Sequence, residues 1–236
     1  TLAPKRFRTL TTGIIPTDAL IRKSHEYKAT VTAFLSAVMA EAIGEIQDAE
    51  IPLKRQKPVK VTLPVNLRKL FGIQTLRNFV LTVNIGIDPK TGHYGLEELC
   101  AQMAHQLASE AVPQKMAARI AANVLPQQNP IIRVIPTFLK NPVLSAVYHA
   151  TGECFGCITI SNLGEVKVPS VMEQYIHRFE FIIGTQYSYP NNCAIASFKG
   201  NTYINMIRNT QSAELERLFF SKLVALGIPV EIESNS

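Results

Sequence analysis

Strand-like and helix-like stretches do not alternate along this chain, and that ordering constrains the fold more than any single motif. Thr30 is placed to cap a helix whose apolar residues Val31, Phe34, Leu35, Val38, Met39, Ala42, Ile43 and Ile46 recur every three or four places. Two more helices follow one another, from Leu96 to Ala111 and from Pro113 to near Leu125. The β-branched and apolar runs Val59–Leu63 and Val80–Ile87 lie close together, as do Cys193–Phe198 and Thr202–Arg208, the last pair joined by the tight turn Lys199-Gly200-Asn201. A regular βαβ succession would build a doubly wound parallel sheet. Strands in hairpins and helices in clusters predict instead an α/β (α+β) two-layer sandwich, a mixed, largely antiparallel sheet covered by helices. With 236 residues, 47% of them hydrophobic, the chain can bury one sizeable core, so residues 1–236 read as a single domain.

The remaining stretches fill in this outline. Lys5–Leu10 is a short basic strand candidate, and Pro16-Thr17-Asp18 starts a helix, with Thr17 as its cap, that runs to about Tyr27. Ile51–Pro58 is a surface connection and Asp88–Gly92 a turn. Pro136 and Pro142 divide Pro130–Ala150 into two broken helices, and Tyr175–Gly184 reads as a strand of mixed polarity. Ser212 begins a last helix with Leu215, Leu218, Phe219, Leu223 and Leu226 facing inward; Gly227 and Pro229 stop it, and Val230–Ile232 follows as an edge strand.

Composition narrows the function classes. The net charge of +6 suits nucleic acid, an anionic surface or a phosphorylated ligand, but the cations are scattered. Only Lys5–Arg8 and Lys54–Lys60 are dense, and neither carries the interleaved aromatic residues of a stacking surface, so no nucleic-acid partner is expected. The apolar runs are too short for a membrane span. Four irregularly spaced cysteines (Cys100, Cys154, Cys157, Cys193) make no disulfide framework and point to a reducing, cytoplasmic setting. Cys154-Phe-Gly-Cys157 lacks the second pair of ligands that a tetrahedral zinc site needs, so these read as unpaired buried thiols and no metal site is expected. The chain begins at Thr1, without a methionine, in sequence that already reads as mid-domain, and it is expected to be a fragment.

Chemistry is sparse. Glycine-rich phosphate loops are absent, which leaves nucleotide cofactors without support. His25, His93, His105, His149 and His177 are dispersed, form no i, i+4 pair, and each reads as structural. The stretch with the best claim is Gly156–Pro169, an apolar strand that ends in Ser161-Asn162-Leu163-Gly164, offering a hydroxyl and an amide just before a glycine. No glycine-framed nucleophile elbow surrounds Ser161, which argues against hydrolase chemistry. The other reading of Ser161 and Asn162 is a simple chain reversal.

Four stretches, taken in order, resemble the C-terminal half of the coenzyme A-dependent acyltransferase superfamily of chloramphenicol acetyltransferase, condensation domains and alcohol acetyltransferases. They are the Thr30-Val-Thr-Ala-Phe-Leu helix, Pro64-Val-Asn-Leu-Arg68 with Asn78-Phe79, Thr159-Ile-Ser-Asn-Leu-Gly164, and the closing hairpin with the Glu214–Leu223 helix. The chain is most similar to the bacterial alcohol acetyltransferase-like members. The resemblance implies acyl transfer from a thioester, with acyl-coenzyme A as co-substrate and no permanently bound cofactor, to a small alcohol or amine. The family's general base is the histidine of an HHxxxDG motif, and none of the five histidines here is followed at the fourth place by aspartate. No catalytic residue is therefore expected in this chain, and the base would belong to a missing N-terminal half. Arg68 matches the arginine that pairs with the motif's aspartate, Asn78 a supporting turn position, and Ser161 and Asn162 the strand end that faces the histidine and binds substrate or oxyanion. Alone, the chain would be inactive and open to self-association through the face its partner half covers. The alternative is a non-catalytic ligand- or partner-binding module of the same fold.

Overall fold

The computed structural model describes residues 8–128, 134, 136–151, 156–185 and 190–235. Strand β1 (Thr9–Pro16) leads into helices α1 (Thr17–Glu26) and α2 (Val31–Glu50), then β2 (Val59–Asn66), the short α3 (Leu67–Phe71) and β3 (Val80–Ile87). Helices α4 (Leu96–Glu110), α5 (Pro113–Gln128) and α6 (Thr137–Thr151) precede β4 (Ile158–Glu165) and the single turn α7 (Ser170–Glu173). The hairpin β5 (Asn191–Phe198) and β6 (Asn201–Arg208), helix α8 (Glu214–Ala225) and strand β7 (Glu231–Ser234) complete the chain.

One seven-stranded sheet takes the order β3-β2-β4-β5-β6-β1-β7. The β2–β3, β5–β6, β1–β6 and β1–β7 pairs are antiparallel, whereas β2–β4 and β4–β5 are parallel. A mixed, largely antiparallel sheet carrying helices is therefore present, as the segment order predicts. Parallel pairing of β2 with β4 is confined to Val61–Ile158 and Thr62–Thr159; beyond these residues the two strands fork, and Pro64, which has no N–H to donate, lies in the diverging part.

The core lies between the sheet and helices α2, α4 and α8, with Phe34, Leu35, Met39, Leu63, Ile85, Leu99, Met103 and Phe219 fully buried. Thr30 caps α2 as expected, its hydroxyl accepting from Ala33 N at 3.2 Å. Residues 33–40 of α2 are buried all round rather than along one stripe, because α4 and α8 flank a helix that already lies on the sheet. Ala33, Ser36, Ala37 and Ala40 keep that close fit possible. At Gly13 in β1 a Cβ would overlap the Phe220 ring of α8. Gly13→Ala is expected to destabilise the chain by about 1–3 kcal/mol, read as a lower urea midpoint with an unchanged m-value.

Several expectations are corrected. Strand β1 begins at Thr9 and continues to Pro16; Lys5–Phe7 of the predicted Lys5–Leu10 strand lie outside the described residues. Pro142 lies inside α6 instead of ending it, and residues 130–133 and 135 of that predicted pair of helices are outside the described residues. Tyr175–Gly184 is not a strand. It crosses the sheet face opposite the helices, where Asn205 Nδ2 donates to Phe181 O (3.1 Å), Asn192 Nδ2 donates to Gly184 O (2.7 Å) and the Arg178 guanidinium stacks on Tyr203 (5.3 Å). Strands β5 and β6 already have neighbours on both sides, so this segment satisfies its carbonyls with side-chain amides instead of a ladder. The last helix starts at Glu214, with Ser212 Oγ accepting from Glu214 N (3.3 Å), and the edge strand spans Glu231–Ser234. No single helix among the described residues is long and apolar enough to cross a membrane.

Candidate functional site

The parallel strands β2, β4 and β5 end at one edge of the sheet, the edge at which parallel α/β sheets hold ligands. A cavity of about 390 Å³ opens at the ends of β4 and β5, walled by the start of α1 and the β5–β6 turn. The turn is a two-residue Lys199-Gly200 loop with both φ angles positive (47° and 78°), the geometry that continues the strand twist. Its Gly200 O accepts from Thr17 N (2.8 Å), which fixes the start of α1 against the hairpin.

Asn162 enters this cavity through a local irregularity in β4. Regular pairing with β5 runs to Asn162–Ile195, then shifts before Glu165–Ser197. The bulge rests on Gly164 (φ 77°), whose N–H donates to Asn162 Oδ1 at 2.9 Å, a short Asx turn. Asn162 Nδ2 donates to Thr32 Oγ1 in the first turn of α2 (3.1 Å), so both ends of the amide are held. Beside it, the hydroxyls of Thr17, Thr202 and Ser197 form a chain, with Thr17–Thr202 at 2.9 Å and Thr202–Ser197 at 2.8 Å. Thr17 was expected to cap α1; Pro16 occupies the cap position and the Thr17 hydroxyl is turned to Thr202. Asp18 and Glu165 also line the cavity. This set can donate hydrogen bonds to a carbonyl or accept from a hydroxyl, and among the described residues it holds no histidine.

Ser161 and Asn162 leave β4 on opposite faces. Ile158 and Ile160 point into the core with Asn162 on the helix side, and alternation sends Ser161 with Thr159 to the other side. Arg68 lies in α3, at the same end of the sheet but past the fork. Its Nε donates to Thr75 O (2.7 Å) and its Nη2 to Arg77 O (2.5 Å), so the guanidinium braces the loop between α3 and β3. Asn78 is exposed in that loop, where Phe79 O accepts from Leu67 N at 3.1 Å. The structure thus brings Asn162 alone, of the four candidates, into the cavity. The hydroxyl chain had no local signal, because it assembles from α1, β5 and β6.

The histidines described with side chains, His25, His93, His105 and His177, are all exposed; the His149 side chain is outside the described residues. Cys154 is likewise outside them, and among the described residues no group of three metal-ligating side chains occurs. Cys157 precedes β4 rather than lying in it and is half-buried, unlike Cys100 and Cys193. Burial pushes the Cys193 thiol up to about 12. Burial, then the charges of Glu41 and Glu97, raise Cys100 to about 11. The thiolate is the reactive form, so iodoacetamide at pH 8 is expected to label Cys157 ahead of Cys100 and Cys193, which react on unfolding. In the unfolded chain both buried thiols return to an ordinary value of 9.0, so they release their protons first there and stability falls as pH rises past about 9.

No protein family and no curated protein matches the sequence. Solved structures do match the fold. TRI101 of F. sporotrichioides, complexed with coenzyme A and T-2, superposes with a TM-score of 0.59 at 13% identity over 98% of this chain and 52% of its own. The epimerization domain of tyrocidine synthetase B gives 0.55 at 14% identity over 96% and 51%. The wax ester synthase/diacylglycerol acyltransferase of Marinobacter aquaeolei VT8 gives 0.54 at 12% identity over 93% and 49%. The chain therefore shares the fold of acyltransferase and condensation-type domains, and it spans about half the length of the structures it matches.

Proposed function

We infer that this chain is the C-terminal half of a two-half acyltransferase that moves an acyl group from an acyl-thioester, acetyl-coenzyme A in the simplest case, to an alcohol or amine. The single observation that carries the reading is Asn162, an amide held at both ends on a bulge and aimed into a cavity at the carboxyl ends of parallel strands. A donor fixed before the substrate arrives stabilises a developing oxyanion without reorganising. Acyl transfer also needs a base to take the proton of the acceptor, and among the described residues no histidine lines the cavity. The base then comes from an HHxxxDG-bearing half, with Arg68 and Asn78 supporting its loop and Ser161 facing the tunnel from the other side of β4. A reducing, cytoplasmic setting fits the free thiols of Cys100, Cys157 and Cys193.

The test is release of free thiol from acetyl-coenzyme A. The 236-residue chain alone is expected to show none, and the same chain joined to sequence encoded upstream of Thr1 is expected to turn over. Turnover by the chain alone would overturn the placement of the base. An inert longer protein that carries the motif would favour the second reading, a ligand-binding module of the same fold.

A further inference from the structure

The loop that follows Asn162 hangs largely on one side chain. From Glu165, at the end of β4, the chain leaves the sheet with Val166 N donating to Ser197 O (2.8 Å) and makes the single turn α7. It comes back to the sheet where the Phe179 ring packs on Phe198 (6.4 Å between centroids). Between these points Lys199 Nζ donates to Glu173 O (2.6 Å) and Ile176 O (2.8 Å), the carbonyls of the last residue of α7 and of the turn after it. Three successive residues of β5 and its turn, Ser197, Phe198 and Lys199, therefore carry the anchors of residues 166–179, a compact loop whose ends lie together. Burial adds little, since residues 169–175 are all exposed, Val171 at 71% and Tyr175 at 77%. Among the described residues, the hydrogen bonds that tie residues 167–176 to the sheet both come from Lys199.

Lys199 makes these bonds from a strained backbone. Its φ of 47° lies in the left-handed region, where glycine or asparagine is the usual first residue of a two-residue hairpin turn. Turn preference does not account for a lysine here, whereas a side chain that reaches across to two carbonyls does. The same Nζ lies over the Phe198 ring, 5.4 Å from its centroid. We propose that residues 166–179 form a hinged flap latched by Lys199, and that the flap and the rim of the Asn162 cavity move together. Glu165, from which the flap starts, and Lys199, which latches it, both line that cavity. Gly200, next to the latch, holds the start of α1 through Thr17 N. Without the latch, no fully buried side chain between Val166 and Ile176 keeps the segment in place, so it opens as one unit on hinges at Val166 and Phe179. The device governs access and not chemistry, and it stands whether or not the acyl-transfer reading does.

The experiment is amide hydrogen exchange, resolved by residue with NMR, on the 236-residue chain and on Lys199→Met, Lys199→Arg and Lys199→Gly. Four amides report the flap: Met172 N and Glu173 N, which donate to Pro169 O, Tyr175 N, which donates to Met172 O, and Ile176 N, which donates to Glu173 O. In the wild type the four are expected to share one protection factor, well below those of β5 and β6. Lys199→Met is expected to speed all four by about tenfold, the worth of one or two exposed hydrogen bonds, and to leave β5 and β6 as they were. Lys199→Arg keeps a cation that donates twice and is expected to retain most of the protection. Lys199→Gly suits the turn, so its melting temperature is expected to hold or rise while the flap opens as in Lys199→Met. Gly164 N, which donates to Asn162 Oδ1, reports the rim and is expected to quicken with the flap in both. Four amides that exchange independently, or unchanged exchange in Lys199→Met, overturn the flap. So does a loss of protection spread evenly through β5 and β6, which would make Lys199 a support of the hairpin. An unmoved Gly164 N beside a released flap overturns the coupling to the cavity.

Discussion

Glu216→Ala is expected to lower the unfolding free energy by about 3–5 kcal/mol, the largest single-site effect anticipated for this chain. Glu216 sits in the first turn of α8 and accepts from Arg208 Nη1 at 2.8 Å across the end of β6. Their side chains are 4% and 8% exposed, so neither can turn to water if the other is removed. Arg208 Nε and Glu216 Oε2 already lack a protein partner, and truncating Glu216 leaves the whole guanidinium uncompensated. The pair itself is not a large net stabiliser, because both charges were taken out of water to form it. Replacing both, as Arg208→Met with Glu216→Leu, is therefore expected to cost far less than Glu216→Ala alone. Urea denaturation of the three proteins checks this; a double variant as unstable as the single would mean that local packing, not a stranded charge, sets the cost. Added salt is expected to change the wild-type stability little through this pair, since buried charges are poorly screened.

Asn162→Ala carries the largest expected effect on activity. In a protein competent for acyl transfer, removing one preorganised oxyanion donor lowers kcat by about 10²- to 10³-fold. Asn162 also pins the bulge, through Gly164 N and Thr32 Oγ1, so part of any loss could come from a displaced loop. Thr32→Val separates the two contributions. It removes the anchor of the amide and keeps the amide, and its expected loss is much smaller. Equal losses in the two variants would make Asn162 a support for the bulge and remove it from the chemistry. A change confined to KM in Asn162→Ala would show uniform binding of ground and transition states, which is also not the role assigned.

Two parts of the site differed in how far they could be read in advance. The strand-to-loop stretch around Asn162 was legible because a small polar pair before a glycine has few uses other than a turn or a site. Its partner Ser161 was grouped with it by sequence proximity, yet strand alternation places the two on opposite faces. Resemblance singles out Arg68 as a candidate; its hydrogen bonds to Thr75 O and Arg77 O are visible only with the loop folded around it.

Local interactions wrote the element list into the chain. The Thr30 cap, the three-to-four spacing along α2, the Lys199-Gly200 turn and the Gly227 stop each act within a few residues, and all appear where the amino acids place them. Burial of α2 on every side, the path of residues 174–185 across the sheet, and the order β3-β2-β4-β5-β6-β1-β7 were settled by packing between distant segments. The parallel pairing of Thr62 with Thr159 joins residues nearly a hundred positions apart, and no periodicity or turn residue encodes such a partner. That pairing and its early end create the fork between β2 and β4, and the Asn162 cavity opens on the other side of β4, where α1 and the β5–β6 turn, distant in sequence, meet the strand end.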